Sequence, residues 1–288
     1  MKMLMWNCRN LGKTLTIHNI QGINRSHSPE MMFLYETKNN SSFVTRQCER
    51  LGFPNSFCVN PIGVVGGLVL AWQTEVQINI MESASFFIYF KVLDTSRNKF
   101  WNVIAVHLHN EENQWSRQFY KLLQILNSRE ELFLVLGDFN AILAHHEKEG
   151  GRPKATSSVE KFQNFLDGGN LSDLGYEGIK YTWNNRQFGD SFIRKRLDRC
   201  LVSNHWRQDY PTAKILHLED QGSDHRPILL ESELQGRRPK RCFHFQKRWC
   251  GDEEMATMVT DAWKTEYSDS PMFRLFNKLK QCRHNIIE

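Results

Sequence analysis

Apolar residues in this chain come in short runs closed by polar or turn-forming residues, and the runs alternate between two periods. Lys2–Asn7 (KMLMWN) and Met31–Tyr35 (MMFLY) are continuous apolar stretches, as expected of strands covered on both faces. Between them, Leu15, Ile17, Ile20 and Ile23 predict a helix over about 13–25. A second helix, capped by Ser41 or Ser42, is expected from Val44, Cys48 and Leu51 at i, i+4 and i+7. Strand-like runs follow at 56–59, 66–72, 76–81, 86–93 and 101–107, punctuated by Gly63, Gly66, Gly67 and the polar stretch 94–98. Trp115, Phe119, Leu122, Leu123 and Leu126 mark an amphipathic helix, and 131–136 is a strand running into Gly137-Asp138-Phe139-Asn140. A helix at about 157–167, capped by Ser157 or Ser158, and strands near 180–184, 196–203, 213–218 and 227–234 complete the body. Hairpin-like pairs mixed with strand–helix–strand units predict two packed sheets with helices outside.

From residue 241 the pattern changes. Phe243, Phe245 and Trp249 lead into helix-like segments at about 252–266 and 272–287, which read as a linker and not as part of the sheet core. The chain is expected to divide into a body at 1–236 and a basic, helical appendage at 237–288. Its 288 residues suit one large α/β domain plus such an appendage.

Charge sharpens the division. The net charge is +5, but residues 237–248 alone hold Arg237, Arg238, Lys240, Arg241, Lys247 and Arg248 with no acid. Residues 249–288 carry five basic and seven acidic side chains, which leaves the body at only +1. Bulk charge therefore identifies no partner for the body, and the basic run is open to two readings: a solvated linker or a nucleic-acid contact. Seven scattered cysteines without a CxxC pair point to reduced thiols in an intracellular protein. Cys242, His244 and Cys250 lack a fourth zinc ligand at sensible spacing. His145-His146 are neighbours that rarely face one ion and read as a solvated loop. Trp72 and Trp101 read as core. Neither a signal peptide nor an apolar run long enough to span a bilayer is present in the sequence.

The candidate chemistry sits where apolar runs end. Asn7, Glu36, His107, Asp138, Asn140, Asp198, Asp224 and His225 each close or adjoin such a run, as side chains delivered to one rim of a sheet would. Their types fit hydrolysis of a phosphate ester. Glu36, Asp138 and Asp224 offer hard oxygen ligands for Mg²⁺ or Mn²⁺. His225 with a carboxylate such as Asp198 would activate water, and His107 and Asn140 would donate to phosphoryl oxygens.

The strings MWNCRNLG (5–12), LYETK (34–38), VVGGLVLAW (64–72), LVLGDFNAIL (134–143), YTWNN (181–185), RLDRCLVS (196–203) and GSDHRPILL (222–230) resemble, in this order, the endonuclease/exonuclease/phosphatase superfamily. GDFN and SDHRP at this separation, with ETK upstream, are the most specific of them, and the resemblance covers about residues 2–234. It implies an α+β fold of DNase-I-like type, a four-layer α/β sandwich of two packed mixed β-sheets flanked by helices. The finer resemblance is to endonuclease domains of plant LINE-type non-LTR retroelements, in which FHFQKRW (243–249) and the helices would lead toward a reverse transcriptase.

By this resemblance the chain is a Mg²⁺- or Mn²⁺-dependent DNA-nicking endonuclease. Glu36 binds the metal, and Asp224 touches it or pairs with His225. Asn7, Ser223 and Thr182 contact phosphate. Asp138 and Asn140 orient the nucleophile and the transition state, and Asp198 stands behind His225, the base or phosphate contact. Arg237, Arg238, Lys240 and Arg241 are the candidate nucleic-acid contacts outside the body. The implied partners are DNA and the reverse transcriptase of the parent element, with a monomeric protein acting in the nucleus and no membrane contact. The alternatives are a phosphatase or phospholipase-like member of the same superfamily, and an inactive retroelement fragment. Two departures stand out. Arg9 occupies the place, two residues after Asn7, where many exonuclease-III-like relatives carry an acid. The family's Tyr or His position falls in VHLHN (106–110), where His107 lies nearer the apolar run and His109 shares its face.

Overall fold

In the computed structural model, residues 1–63, 65–127, 132–233, 252–266 and 270–287 are described. The chain forms two compact units, Met1–Pro239 and Lys240–Glu288. In chain order the strands are β1 (Lys2–Asn7), β2 (Met31–Tyr35), β3 (Asn55–Val59), β4 (Leu68–Trp72), β5 (Ile78–Ala84), β6 (Phe87–Asp94), β7 (Lys99–His107), β8 (Phe133–Asp138), β9 (Lys148–Glu149), β10 (Leu171–Asp173), β11 (Glu177–Gly178), β12 (Trp183–Asn184), β13 (Arg194–Lys195), β14 (Asp198–Ser203), β15 (Lys214–His217) and β16 (Ile228–Glu231). The helices are α1 (Thr14–His27), α2 (Ser41–Arg50), α3 (Glu112–Leu126), α4 (Thr156–Gly168), α5 (Asn204–Asp209), α6 (Glu253–Lys264) and α7 (Pro271–Ile287).

Two mixed sheets form the body, ordered β11-β15-β16-β1-β2-β4-β3 and β10-β14-β8-β7-β6-β5. Continuous apolar runs take the central places: β1 lies between β16 and β2, and β8 between β14 and β7. The inner faces meet through Met3, Met5, Phe33, Tyr35 and Leu70 of one sheet and Phe90, Trp101, Val103, Leu134 and Leu136 of the other. Helices α1 and α2 cover the first sheet with Ile20, Ile23, Val44 and Cys48 against Leu4, Met32 and Val69. Helices α3 and α4 cover the second with Trp115, Phe119, Leu122, Phe162 and Phe165 against Ile104, Val106 and Val135. The layering is helix, sheet, sheet, helix, the α+β sandwich expected of the DNase-I-like fold. A small third sheet, β12-β13-β9, stands at one end.

Local capping differs from expectation at two helices. Asn40, not a serine, caps α2, its side chain accepting from the Phe43 amide. Helix α4 starts at Thr156 behind Ala155, which offers no side-chain cap, so Ser157 and Ser158 fall inside the first turn. Trp101 is core, 1% exposed and packed edge-on to Trp206 and Tyr210. The second unit is described through α6 and α7, which pack with Ala262 and Cys282 buried and Lys278 Nζ donating to the Trp263 carbonyl. The basic run 237–248, with Arg237, Arg238, Lys240 and Arg241, and Phe243, Phe245 and Trp249 lie outside the described residues. Among the described residues no helix is long and apolar enough to cross a membrane.

Candidate active site

Strand register does the first work of assembly. β7 and β8 run parallel with His107 opposite Asp138, and β8 pairs antiparallel with β14 so that Asp138 also lies opposite Asp198. Three polar side chains from distant parts of the sequence thus share one row at the end of the second sheet. In the first sheet, parallel β1 and β2 place Asn7 opposite Tyr35, with Glu36 next in the chain. The close approach of β7 to β8 needs Gly137. It has a φ of 128°, and a Cβ there would collide with the Val106 carbonyl oxygen.

His225 and Asp198 form the buried heart of the site. His225 Nδ1 lies 2.9 Å from Asp198 Oδ2, and Asp198 Oδ1 accepts from the Tyr35 hydroxyl. The Trp6 indole N–H donates to the His225 carbonyl at 2.9 Å, tying the segment to β1. Burial alone would lower the imidazole pKa, but the carboxylates of Asp198 and Asp138 outweigh it and raise His225 to about 9. The other ring nitrogen, Nε2, lies 3.7 Å from Asp138 Oδ2. Asp138 is 1% exposed. Its Oδ1 accepts from the Asn140 amide at 2.9 Å, and its Oδ2 has no hydrogen-bond partner among the described residues. Burial, reinforced by the charge of Asp198, pushes Asp138 up to about 7.

Glu36 faces this pair from the first sheet. It has a φ of 54° and is reached by Lys38 Nζ at 3.1 Å, Arg9 Nε at 3.7 Å, Asn7 Nδ2 at 3.3 Å and His107 Nε2 at 3.7 Å. Burial opposes its ionisation, but His107, Asn7 and Lys38 together hold it below the usual glutamate value. His107 stacks on Tyr35 and lies 4.0 Å from Asp138 Oδ2; burial lowers its pKa to about 4, so the ring is neutral at neutral pH. His109 lies beyond the strand end, exposed, with its Nδ1 accepting from the Glu111 amide. The structure therefore sets His107, and not His109, against Glu36 and Asp138. Asn140, with a φ of 51°, spends its side-chain amide on the Leu108 carbonyl at 2.8 Å.

Three expected contacts take other roles. Thr182 is fully buried, and its Oγ1 accepts from the amides of Leu197 and Asp198, so it braces β14 and has no face to offer a phosphate. Ser223 Oγ donates to the Asn7 carbonyl at 2.8 Å, fastening the SDH segment to β1. Asp224 is not the hydrogen-bond partner of the His225 ring. It accepts from Trp183 Nε1 at 2.9 Å and pairs with Arg9 Nε at 3.0 Å.

The side chains line a cleft of about 720 Å³ whose walls include Arg9, Glu36, His107, Asp138, Asn140 and His225, with Lys148, Lys154 and Lys195 to one side. Sequence reasoning missed Tyr35, Trp6 and Lys195. Their only signal was adjacency to Asn7, Glu36 and the RLDR string. Two donor sets suit a hard cation. Asn7 Nδ2 donates to Glu36 Oε1 at 3.3 Å, and the buried Oδ1 of the same amide has no hydrogen-bond partner among the described residues. Asp138, Asp198 and His225 also converge within 4.8 Å, but an ion there would compete with the Asp198–His225 bond. Glu36 with Asn7 is therefore the better fit.

Solved structures share this architecture. The 3′ phosphatase NExo from Neisseria, bound to product DNA hairpin, is 20% identical, covers 81% of this chain and 100% of its own, and superposes with a TM-score of 0.62. An AP endonuclease from Leishmania major is 13% identical over 80% of this chain and 86% of its own, with a TM-score of 0.64. The endonuclease domain of TRAS1, a telomere-specific non-LTR retrotransposon, is 11% identical over 81% and 99%, with a TM-score of 0.58. No curated protein matches the chain by sequence. The profile of the Endonuclease/Exonuclease/phosphatase family matches residues 5–225, from the end of β1 to His225 itself, and the chain belongs to that family.

Proposed function

We propose that the protein is a Mg²⁺- or Mn²⁺-dependent phosphodiesterase that nicks DNA, an endonuclease of the non-LTR retroelement type acting on chromosomal DNA in the nucleus. The observation that carries the reading is the pairing, across one cleft, of a charged imidazole with an unpartnered buried carboxylate: His225 Nε2 lies 3.7 Å from Asp138 Oδ2. Glu36 and the Asn7 side-chain carbonyl would hold the divalent cation, which when bound offsets the negative charge of the phosphate.

The chain's own groups divide the remaining work. Asp198 holds the His225 ring through Nδ1, and with a pKa near 9 the imidazolium donates to a non-bridging phosphoryl oxygen as charge builds there. Asp138 Oδ2 takes the proton of the attacking water. The water oxygen bonds to phosphorus, the bond to the leaving sugar oxygen breaks, and that oxygen is protonated from solvent. Neutral His107, stacked on Tyr35, supplies a second donor to the phosphate.

Supercoiled plasmid tests the reading. Relaxed circles should accumulate with Mg²⁺ or Mn²⁺, and Glu36→Ala, Asp138→Ala and His225→Ala should each slow nicking by at least ~10²-fold. Release of phosphate from a 3′-phosphorylated oligonucleotide without plasmid nicking would favour a phosphatase instead. Undiminished cutting in excess EDTA would overturn metal dependence.

A further inference from the structure

Arg9 stands in the cleft beside Glu36 and Asp224, and its backbone is held in an uncommon conformation. Arg9 and Asn10 are consecutive non-glycine residues at positive φ, 49° and 118°, in the turn that follows β1. Such backbone is avoided by ordinary side chains and persists where the surroundings hold it in place. Here the turn is pinned by the Leu11 amide donating to the Thr37 carbonyl and by Asn10 Oδ1 accepting from the Gly12 amide.

The guanidinium then meets two carboxylates, Asp224 Oδ1 at 3.0 Å and Glu36 Oε2 at 3.7 Å. Both approach its Nε. Asp224 is itself held by Trp183 Nε1 at 2.9 Å on Oδ2, while Oδ1 faces Arg9, so both of its oxygens are engaged. Among the described residues none accepts a hydrogen bond from the two terminal nitrogens of Arg9. Its side chain is 49% exposed and lines the same cleft as His107, Asp138 and His225. A planar cation with unused donors, clamped at the mouth of a phosphate site, matches the geometry of phosphate oxygens.

We infer that Arg9 is a substrate-contacting residue: its guanidinium, clamped between Asp224 and Glu36, donates to the non-bridging oxygens of the phosphodiester and holds the place of a second divalent cation. The inference rests on the phosphodiester reading above. Lys38 already lies 3.1 Å from Glu36 and Arg9 3.0 Å from Asp224, so a second divalent ion on that side would face two fixed cations at close range. Glu36, shared with Asn7, is left as the carboxylate for one ion.

Two measurements on the full chain decide it. Mn²⁺ uptake followed by electron paramagnetic resonance should saturate at one ion per chain. Binding to a duplex oligonucleotide, with Ca²⁺ in place of Mg²⁺, should weaken about 10- to 100-fold in Arg9→Gln, the scale of a lost charged hydrogen bond. Losing one phosphate contact should also lower the slope of log affinity against log salt by about 0.9. Arg9→Lys should restore the slope, because it returns the charge, but not the full affinity. Melting temperature should stay unchanged in Arg9→Gln, which separates a lost contact from a lost fold. Two Mn²⁺ ions in the wild type, or an Arg9→Gln salt slope equal to wild type, would overturn the inference. A wild type that shows these binding signatures yet never cuts DNA would sink the proposed hydrolysis and leave the Arg9 contact standing.

Discussion

His225 Nδ1 and Asp198 Oδ2 lie 2.9 Å apart in a spot where both side chains are almost wholly removed from water. The pair draws its members from a loop before β16 and from the first residue of β14, and Tyr35 of the other sheet closes it through Asp198. A buried imidazole is ordinarily neutral; this one is held charged by its carboxylates, which fixes both its orientation and its state of protonation. Asp198→Asn should therefore lower turnover by ~10²-fold or more, the scale of a disabled acid–base group, while leaving the fold intact. Proton NMR of the variant should show His225 titrating closer to its ordinary 6.5. A variant with wild-type turnover would remove Asp198 from the machinery.

The same pair makes stability depend on pH with a definite sign. His225 is raised on folding from 6.5 to about 9, so its contribution is fully present below 6.5 and is lost as pH climbs through 9. Asp138, raised from 3.8 to about 7, acts in the same direction over an earlier window: its contribution is present below 3.8 and is lost as pH climbs through 7. The melting temperature of the metal-free protein should fall between pH 6.5 and 9, and His225→Gln should flatten the fall. A wild-type profile without slope in this window would mean that the buried ring is neutral.

How much of this was legible in the sequence depends on the length over which each signal acts. β1 and β2 have the bounds expected of them because a strand buried on both faces is an unbroken apolar run, closed here by Asn7 and Glu36. The three-residue β10 and six-residue α5 escaped, being too short for either period to show. Within the site, residue types at strand ends were visible, but their pairing was not. The Tyr35–Asp198 bond joins residues 163 apart, and Thr182 reads the same whether its hydroxyl faces a phosphate or the β14 backbone. Arg9 was visible as a departure from the family pattern; its clamp by Asp224 and Glu36 needed the fold.

The arginines of the RLDR string illustrate a further role hidden from sequence. Arg199 is fully buried and, with Arg196, binds Glu147 and Asp173, joining β14 to β10 and to the loop after β8 behind the site. Removing one member leaves an uncompensated buried charge, which costs about 3–5 kcal/mol. Arg199→Met should lower the free energy of unfolding in urea on that scale. A loss below about 1 kcal/mol would mean that the network is solvated, as surface pairs are.

Gly137 sets the spacing of the catalytic row. At a φ of 128°, with no room for a Cβ beside the Val106 carbonyl, Gly137→Ala must strain the backbone or part β7 from β8. Because His107 and Asp138 are register partners on those strands, parting them also separates the two side chains. The variant should be destabilised by about 3 kcal/mol or more, in the range of strain at a special backbone position. Urea unfolding measures the loss, and a change below about 1 kcal/mol would show that the sheet absorbs the methyl without strain.

The charge placed at 237–248 makes a prediction separable from all of these. Six cations in twelve residues follow a body whose net charge is +1. If the run binds DNA, each phosphate it engages adds about 0.9 to the slope of log affinity against log salt. With three or four phosphates engaged, truncation after residue 236 should flatten that slope by about three units. That change is several times the single phosphate expected of Arg9, and the two can be told apart on one plot. Nicking at saturating DNA should persist, because Asn7, Glu36, His107, Asp138, Asp198 and His225 all precede the cut. If instead Phe243, Phe245 and Trp249 pack back on the body and the charges are merely solvated, truncation should lower the melting temperature and leave the salt slope where it was; that pattern refutes the DNA contact.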